Sequence, residues 1–232
     1  MLTYQGLLRF APLLLTVVLG GCVTPIAVRD QAIAPSYASA GTLLVAVVDE
    51  RDSVLKGAKP PTYIGRVHVS FGIPVDMKVY PWVIEDSAKK NQTLAQALEE
   101  RIVVGMKERG WKVVSADLNS APSAEQVPQL LRERSADRLL VLRVTEWFVS
   151  VNLNWVGAFD FDWGVAVTVS GPSPNPLLSF KDAGKDEVEL EAKQSPGNSV
   201  RLAYRARLTK IFERPDLQEA LKAPIELVQA QN

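Results

Sequence analysis

Residues 138–154 read RLLVLRVTEWFVSVNLN and residues 159–170 read FDFDWGVAVTVS. Both stretches alternate apolar with polar residues, which is the period-2 pattern of strands that bury one face. Only four residues, 155–158, separate them. The pattern therefore predicts a long antiparallel hairpin, in which the aromatic and β-branched side chains of the two strands share one face.

Further strands and helices are predicted on either side of this hairpin. Upstream, residues 42–48 are a continuous apolar run, typical of a strand buried on both faces. Residues 93–96 form a capping-box pattern that opens a helix, and Gly110 closes that helix. Its core stripe is predicted to be the apolar residues that recur every four positions, Leu94, Leu98, Ile102 and Met106. Downstream, one or two edge strands within residues 177–192 precede a helix over 199–214. This order predicts an α+β fold, a two-layer sandwich of a mixed, largely antiparallel sheet with helices packed on one face.

Residues 53–90 are predicted to be a long insertion in a single domain that covers residues 41–232. They contain three glycines and four prolines around one short half-buried strand, expected over residues 66–71. Long irregular segments are uncommon inside compact domains and are often functional.

The amino-terminal residues predict an exported protein. Arg9 precedes an apolar run over residues 10–19, and small residues follow, which is the layout of a secretory signal. The apolar run is about half as long as a membrane span requires. Residues 1–21 are therefore predicted to be a signal peptide that is removed from the mature chain.

Leu19-Gly20-Gly21-Cys22 resembles the lipobox of bacterial lipoproteins. The resemblance implies transfer of a diacylglyceryl group to the Cys22 sulfur, cleavage before Cys22, and acylation, for example with palmitate, of the new amino terminus. Several acyl chains on one residue would anchor the protein stably to a membrane. Cys22 is the single cysteine in the sequence, so no disulfide within the chain is expected.

The residues after the lipobox suggest where the protein is held. Val23 stands where an Asp would resemble an inner-membrane retention signal, so we expect the outer membrane, with the domain on the periplasmic face. Residues 22–40 are rich in Ala, Ser and Pro and show no period. They are predicted to form a lipidated, flexible tether with a reach of roughly 25 Å.

Charge and composition exclude some partners. The chain has 26 basic and 26 acidic residues, and removal of the signal peptide, which contains Arg9, leaves one more acidic than basic residue. We therefore expect no nucleic-acid partner, because such proteins are usually basic. A hydrophobic fraction of 47% is that of an ordinary globular protein with a sizeable core.

Residues that could carry catalysis are scarce. His68 is the sole histidine, and phosphate-binding, dinucleotide-binding and Gly-x-Ser-x-Gly motifs do not occur in the sequence. Asp160 and Asp162, beside Asn152 and Asn154, could ligate a cation, although strand alternation alone places them on a polar face. We expect a non-enzymatic protein with no catalytic residues, no metal and no cofactor, and we expect His68 to be an exposed strand residue.

Five apolar side chains form the predicted interaction surface. Trp155 and Phe159 flank the hairpin tip, where cover by helices is difficult, and the insertion adds Tyr63, Ile64 and Phe71. Exposed aromatic groups often mark interfaces. The alternative is that these aromatic residues, like the others of the hairpin, belong to the core.

Asp49 and Arg51 follow the first strand, a place where loops often build sites. We interpret them as an ion pair that holds the long insertion in place.

Five short segments of the sequence resemble uncharacterised proteobacterial lipoproteins of the YajG type. They are Val-x-Asp-x-Arg at 47–51, Gly-x-Lys-Pro at 57–60, Phe-Gly-Ile-Pro at 71–74, Thr-Glu-Trp at 145–147 and Arg-Pro-Asp-x-x-x-Ala-Leu at 214–221. The resemblance spans most of residues 41–222. It implies an α/β sandwich like those of other envelope accessory lipoproteins, and it supplies neither an activity nor site residues.

The sequence leaves three functions open. The leading one is a membrane-anchored envelope lipoprotein, an accessory or structural component of an outer-membrane assembly with a protein partner in the envelope. The alternative is a module that binds an apolar ligand or lipid in transport, in a cleft between the insertion and the hairpin. The third is an envelope hydrolase.

Overall fold

The computed structural model describes residues 24–37, 41–153, 157–190 and 193–222, which form a seven-stranded mixed sheet and the helices that pack against it. The strands are β1 (Thr42–Asp49), β2 (Tyr63–His68), β3 (Pro74–Lys78), β4 (Lys112–Ser115), β5 (Arg138–Asn152), β6 (Ala158–Ser170) and β7 (Pro176–Glu189). The helices are α1 (Asp52–Leu55), α2 (Val79–Trp82), α3 (Leu94–Glu108), α4 (Val127–Glu133), α5 (Pro196–Phe212) and α6 (Pro215–Lys222). Turns of 3-10 helix lie at Val28–Gln31, Ser70–Gly72 and Ser87–Lys89.

The hairpin of β5 and β6 forms the centre of the sheet. The two strands pair antiparallel along almost their whole length, which confirms the predicted hairpin. On its other edge β5 has two parallel partners in succession, β1 along residues 138–144 and β2 along residues 149–152. β4, β3 and β7 then extend the sheet from β1, β2 and β6, respectively. The α+β class is confirmed, and the sheet is curled into a half-barrel.

The two faces of β1 bury different clusters. Alternate residues from Leu43 to Val47 join the main core with α3 and α5. Those from Leu44 to Val48 join a smaller cluster with Leu131 of α4. The prediction of a strand buried on both faces is confirmed. The prediction that helices cover only one face is wrong, because the apolar back of β1 also needs cover and α4 supplies it.

Helix α3 begins and ends as its sequence predicts. Thr93 and Gln96 form the complete capping box, with each side chain bonded to the other's backbone N–H. Gly110 follows the helix with φ +81°. The predicted stripe of Leu94, Leu98, Ile102 and Met106 is fully buried.

The segment 53–90 contributes to the sheet. β2 pairs parallel with β5 and antiparallel with β3, and Met77 and Val79 are fully buried. The prediction of a largely irregular insertion is therefore wrong. Glycines and prolines interrupt the alternating pattern by which the short strands β2 and β3 would have been recognised. The strand predicted over residues 66–71 is displaced, since β2 ends at His68 and Phe71 lies in the following turn.

The carboxyl-terminal part places α5 beside the last strand. β7 is one long edge strand where one or two were predicted. Arg207 of α5 forms an ion pair with Asp186 of β7, and Arg214, which follows the helix, lies 3.7 Å from Asp182. Helix and strand therefore run antiparallel, and α5 begins near the end of β7.

Candidate functional site

Three of the five predicted surface residues are buried. Ile64 is 0% exposed, Phe159 2% and Tyr63 6%. Ile64 and Phe159 belong to the main core, because β2 lies in the sheet and the hairpin curls over the helices. The prediction of an interaction surface is wrong for these three residues. Because these three side chains are buried, they do not form the apolar cleft that was predicted between the insertion and the hairpin.

Trp147, Phe161 and Trp163 of the hairpin are core residues. The ring of Trp147 lies 5.0 Å from that of Phe161 and 5.2 Å from that of Tyr204 on α5, both edge to face. Burial raises the pKa of Tyr204, because its ionised form would be stripped of water. The interpretation of these aromatics as core is therefore confirmed. Trp155, together with Asn154 and Val156, lies outside the described residues.

Phe71 differs from Tyr63 and Phe159, the other aromatic side chains of the predicted surface that the structure describes. It is 98% exposed, in the turn between β2 and β3 that we call the Phe71 turn (residues 69–73). Its backbone φ is +63°, in the left-handed region where a bulky residue costs about 1–2 kcal/mol. Ile73 in the same turn is 57% exposed. A strained, exposed apolar residue is the kind of feature that points to function rather than to stability.

Asp49 and Arg51 form the predicted ion pair. Two nitrogens of Arg51 donate to the two oxygens of Asp49 at 2.8 and 2.7 Å. Another guanidinium nitrogen donates to the backbone oxygen of Tyr63 at 2.6 Å. Arg51 is only 3% exposed. The pair therefore holds β2 to the end of β1, as the interpretation of an ion pair pinning this segment required.

His68 lies half-buried at the end of β2, in a shallow cleft with Asn152, Asp160 and Glu187. Asp160 contacts Lys185 at 3.0 Å, so its carboxylate is used in an exposed ion pair. Within the described ranges, no three side chains of His, Cys, Asp or Glu converge as metal ligands would. The cleft is polar and open, and the hydroxyl-bearing Ser150 of β5 also lines it.

The amino-terminal segment is the functional feature that sequence reasoning missed. Residues 24–37, which we call the strap, lie between α3 and α5. Ile33 is 2% exposed and Tyr37 8%, and both belong to the main core. The prediction of a flexible tether is therefore wrong over these residues. Cys22 and Val23, and residues 38–40, lie outside the described part of the chain.

Polar contacts hold the strap along its length. Gln31, itself 3% exposed, accepts hydrogen bonds from the buried guanidinium of Arg101 on α3. The hydroxyl of Tyr37 donates to the backbone oxygen of Phe212 at 2.8 Å. Ser36 donates to Glu213 from both its backbone N–H and its hydroxyl at 2.9 Å.

Arg101 carries a fully buried charge that donates hydrogen bonds to neutral groups. Besides Gln31, it donates to the backbone oxygens of Ala97 at 2.7 Å and Val83 at 2.9 Å. Burial is the main cause that lowers the pKa of its guanidinium to about 10. Gln31 is the one side chain among these acceptors of the Arg101 guanidinium, and it belongs to the strap. The strap therefore lowers the free-energy cost of burying this charge.

A glycine on α3 was the available sequence signal for the strap. Gly105 interrupts an otherwise good helix, and such a glycine often marks the close approach of another backbone. A Cβ at this position would lie 1.9 Å from the backbone oxygen of Ile33. The strap therefore packs against the helix backbone itself, and only glycine leaves room for it.

The strap begins beside the first turn of α5. The side chain of Asn198, 3% exposed, accepts a hydrogen bond from Ile26 N–H at 3.2 Å and donates to the Thr24 oxygen at 3.1 Å. Arg201 donates to the same Asn198 oxygen at 2.7 Å and so fixes its orientation. The described chain thus starts from a defined point on the domain. None of the helices in the described ranges has both the length and the apolar character needed to cross a bilayer.

Comparisons with known proteins return structural similarity only. No family model and no curated protein matches the sequence. The structure is similar to that of a Xanthomonas campestris protein of the DUF330 family, with 12% identity, TM-score 0.44, and coverage of 86% of this chain and 91% of that one. It is also similar to lipoprotein GNA1162 of Neisseria meningitidis (13%, 0.34, 75% and 99%) and to PelC, solved as a dodecamer, of Paraburkholderia phytofirmans (13%, 0.34, 87% and 95%). No family is assigned at this level of similarity.

Proposed function

We propose that this protein is a lipid-anchored lipoprotein of the bacterial envelope, a non-enzymatic accessory component of an outer-membrane assembly. The observation that carries the proposal is the sequence Leu19-Gly20-Gly21-Cys22 at the end of an apolar signal. A thiol is the side chain that accepts a thioether-linked diacylglyceryl group, and small residues before it admit a peptidase to the backbone. The resemblance to lipoproteins of the YajG type is in line with this proposal.

The packing of the strap on the domain supports the proposal, because it leaves only a short connection between the acylated residue and the folded domain. Only Val23 separates Cys22 from Thr24, whose backbone oxygen is bonded to Asn198. A lipid on Cys22 would therefore hold the folded domain directly, without a long free linker. An accessory component that positions a partner near a membrane benefits from such a short connection.

The buried aromatic residues favour an accessory role over a module that binds an apolar ligand. Those of the hairpin were candidates for a ligand cleft, and Trp147, Phe159 and Phe161 fill the core beneath α5 instead. His68, the sole histidine of the sequence, lies in an open polar cleft. An accessory role then depends on the outer surface of the domain, and the partner is expected to be another envelope protein.

The test compares Cys22→Ser with the unaltered chain and with Val23→Asp, expressed in a Gram-negative host with an alkyne analogue of palmitate. We expect label in the unaltered protein and in Val23→Asp, and none in Cys22→Ser, which should accumulate as a larger precursor. Separation of the two membranes should place the unaltered protein in the outer membrane and shift Val23→Asp toward the inner one. Label on Cys22→Ser would refute the anchor, and an unshifted Val23→Asp would refute the sorting.

A further inference from the structure

The place where the strap begins determines which end of the domain meets the membrane. Two peptide units separate the Cα atoms of Cys22 and Thr24, and they span at most about 7.6 Å. The polar headgroup layer of one leaflet is roughly 5–8 Å thick. A lipid on Cys22 therefore keeps Thr24, and with it the first turn of α5, close to the headgroups.

The first turn of α5 lies at the end of the sheet where β5 ends and β6 begins, which we call the tip end. α5 runs antiparallel to β7, and Arg207 is paired with Asp186. From Arg207 back to Asn198 the helix covers nine residues, a length of about 13 Å. The four strand residues from Asp186 to Leu190 cover about the same length, so Asn198 and Leu190 lie at the same height. The N–H of Leu190 donates to the Gly157 oxygen at 2.8 Å, at the start of β6. Asn198 is thus level with the tip end.

The same end carries the exposed apolar side chains of the Phe71 turn. Leu153, 43% exposed, donates its backbone N–H to the His68 oxygen at 3.0 Å, which joins the end of β5 to the end of β2. Phe71 and Ile73 follow directly, 98% and 57% exposed. An exposed phenylalanine held in a strained backbone conformation is unexplained by packing within the domain.

From these two placements we infer that the tip end rests on the bilayer surface and that Phe71 and Ile73 enter the lipid interface. Aromatic and aliphatic side chains that stand out from a surface gain free energy when the headgroup–acyl boundary covers them. The acyl anchor supplies the attachment, and the Phe71 turn fixes the tilt of the domain. This inference rests on the proposed acylation of Cys22 and adds the orientation of the domain.

The opposite end of the sheet provides a matched control. Leu177, near the start of β7, is 50% exposed, similar to Ile73. It lies twelve strand residues before Glu189, about 40 Å away along β7. If the tip end rests on the membrane, Leu177 faces water far from the lipid although its exposure and chemistry are alike.

The experiment uses the full acylated chain in vesicles of phosphatidylethanolamine and phosphatidylglycerol. Phe71→Cys, Ile73→Cys and Leu177→Cys each introduce the only free thiol, since Cys22 is the single native cysteine and its sulfur would carry the lipid. A nitroxide label at each site is then tested for relaxation by oxygen, which concentrates in lipid, and by a water-soluble nickel chelate. We expect the oxygen-to-nickel ratio at 71 and 73 to exceed that at 177 several-fold.

The possible outcomes separate this inference from the proposed function. Equal ratios at all three positions in an acylated protein would overturn the orientation and leave the anchor standing. Labels at 71 and 73 that are shielded from both reagents would show contact with a second copy of the chain and would likewise overturn the orientation. An intact mass without acyl groups would overturn the proposed function and the orientation together.

Discussion

The strap and the Phe71 turn are both short, mostly irregular segments that contain a few apolar residues, yet they are packed in opposite ways. The strap places Ile33 and Tyr37 in the main core, whereas the turn leaves Phe71 and Ile73 exposed. Their compositions give no hint of this difference. The cause lies in what each segment meets when the domain folds.

The strap meets a surface that is built to receive a backbone. Gly105 opens a gap on α3, Arg101 offers buried donors, and Phe212 offers a free helix-end carbonyl. The Phe71 turn is closed by two hydrogen bonds of its own, from the Gly72 N–H to the Val69 oxygen and from the Val69 N–H to the Ile73 oxygen. An irregular segment is therefore buried when distant residues complement its backbone, and its own apolar content is a secondary condition.

The largest effect should come from Gly105→Ala. In an exposed helix this change stabilises by about 1 kcal/mol, but here the new Cβ would lie 1.9 Å from the Ile33 oxygen. We expect a loss of about 3 kcal/mol of unfolding free energy, measured by urea denaturation, as the strap is forced off α3. Gly171→Ala is the matched control, because its Cβ would meet only Leu177 at 3.6 Å. A stabilised Gly105→Ala protein would show that the strap is not held there.

A smaller effect is expected from Tyr37→Phe. The change removes the hydrogen bond to the Phe212 oxygen and leaves that carbonyl buried, which should cost about 1–2 kcal/mol. Tyr80→Phe, in a half-buried tyrosine outside the strap, serves as the control. Equal stabilities of the two variants in thermal melts would argue that the end of the strap is loose.

The same variant should alter the pH dependence of stability. Burial, and secondarily the charge of Glu213, raise the pKa of Tyr37 above that of an unfolded tyrosine, which is about 10. The unfolded chain therefore releases this proton first, and the contribution of Tyr37 to stability falls as the pH rises past about 10. In denaturant titrations between pH 8 and about 11, Tyr37→Phe should lose less stability than the unaltered protein. An identical slope would contradict burial of the hydroxyl.

The smallest effect should be that of Phe71→Gly. The side chain has almost no contacts to lose, and glycine accepts φ +63° without strain. We expect the unfolding free energy to stay the same or to rise by up to about 1 kcal/mol. Phe161→Ala, in the core, should by contrast cost about 3–5 kcal/mol. A clear loss of stability in Phe71→Gly would mean that the turn is packed against the domain like the strap.

Local pattern was enough to predict the long elements of the fold. The alternation of residues 138–170 predicted the hairpin, and the capping box at Thr93 with the stripe through Met106 predicted α3. Both signals depend on neighbours in sequence, so no knowledge of tertiary structure was needed. The ion pair of Asp49 with Arg51 was predictable for the same reason.

The features that were missed depend on residues far apart in the chain. The strap meets α3 some seventy residues away, as in the bond between Gln31 and Arg101. β2 was predicted only in part, over residues 66–71, because its first residues are recognisable as a strand only beside β5, where Gly65 pairs with Val149. The burial of Ile64 follows from that pairing, so the pattern within the segment could not separate Ile64, which is buried, from Phe71, which is exposed.

The position of β1 has a consequence for how the chain folds as it emerges. Its partners in the sheet are β4 and β5, and Leu43 pairs with Arg138, ninety-five residues later. Until those residues have been synthesised, β1 has no strand to pair with, and the apolar side chains on both of its faces stay exposed. Such long-range closure makes folding slow and exposes the early segment to aggregation. A chaperone that shields residues 42–49 would therefore act at the most vulnerable stage, before the second half of the chain arrives.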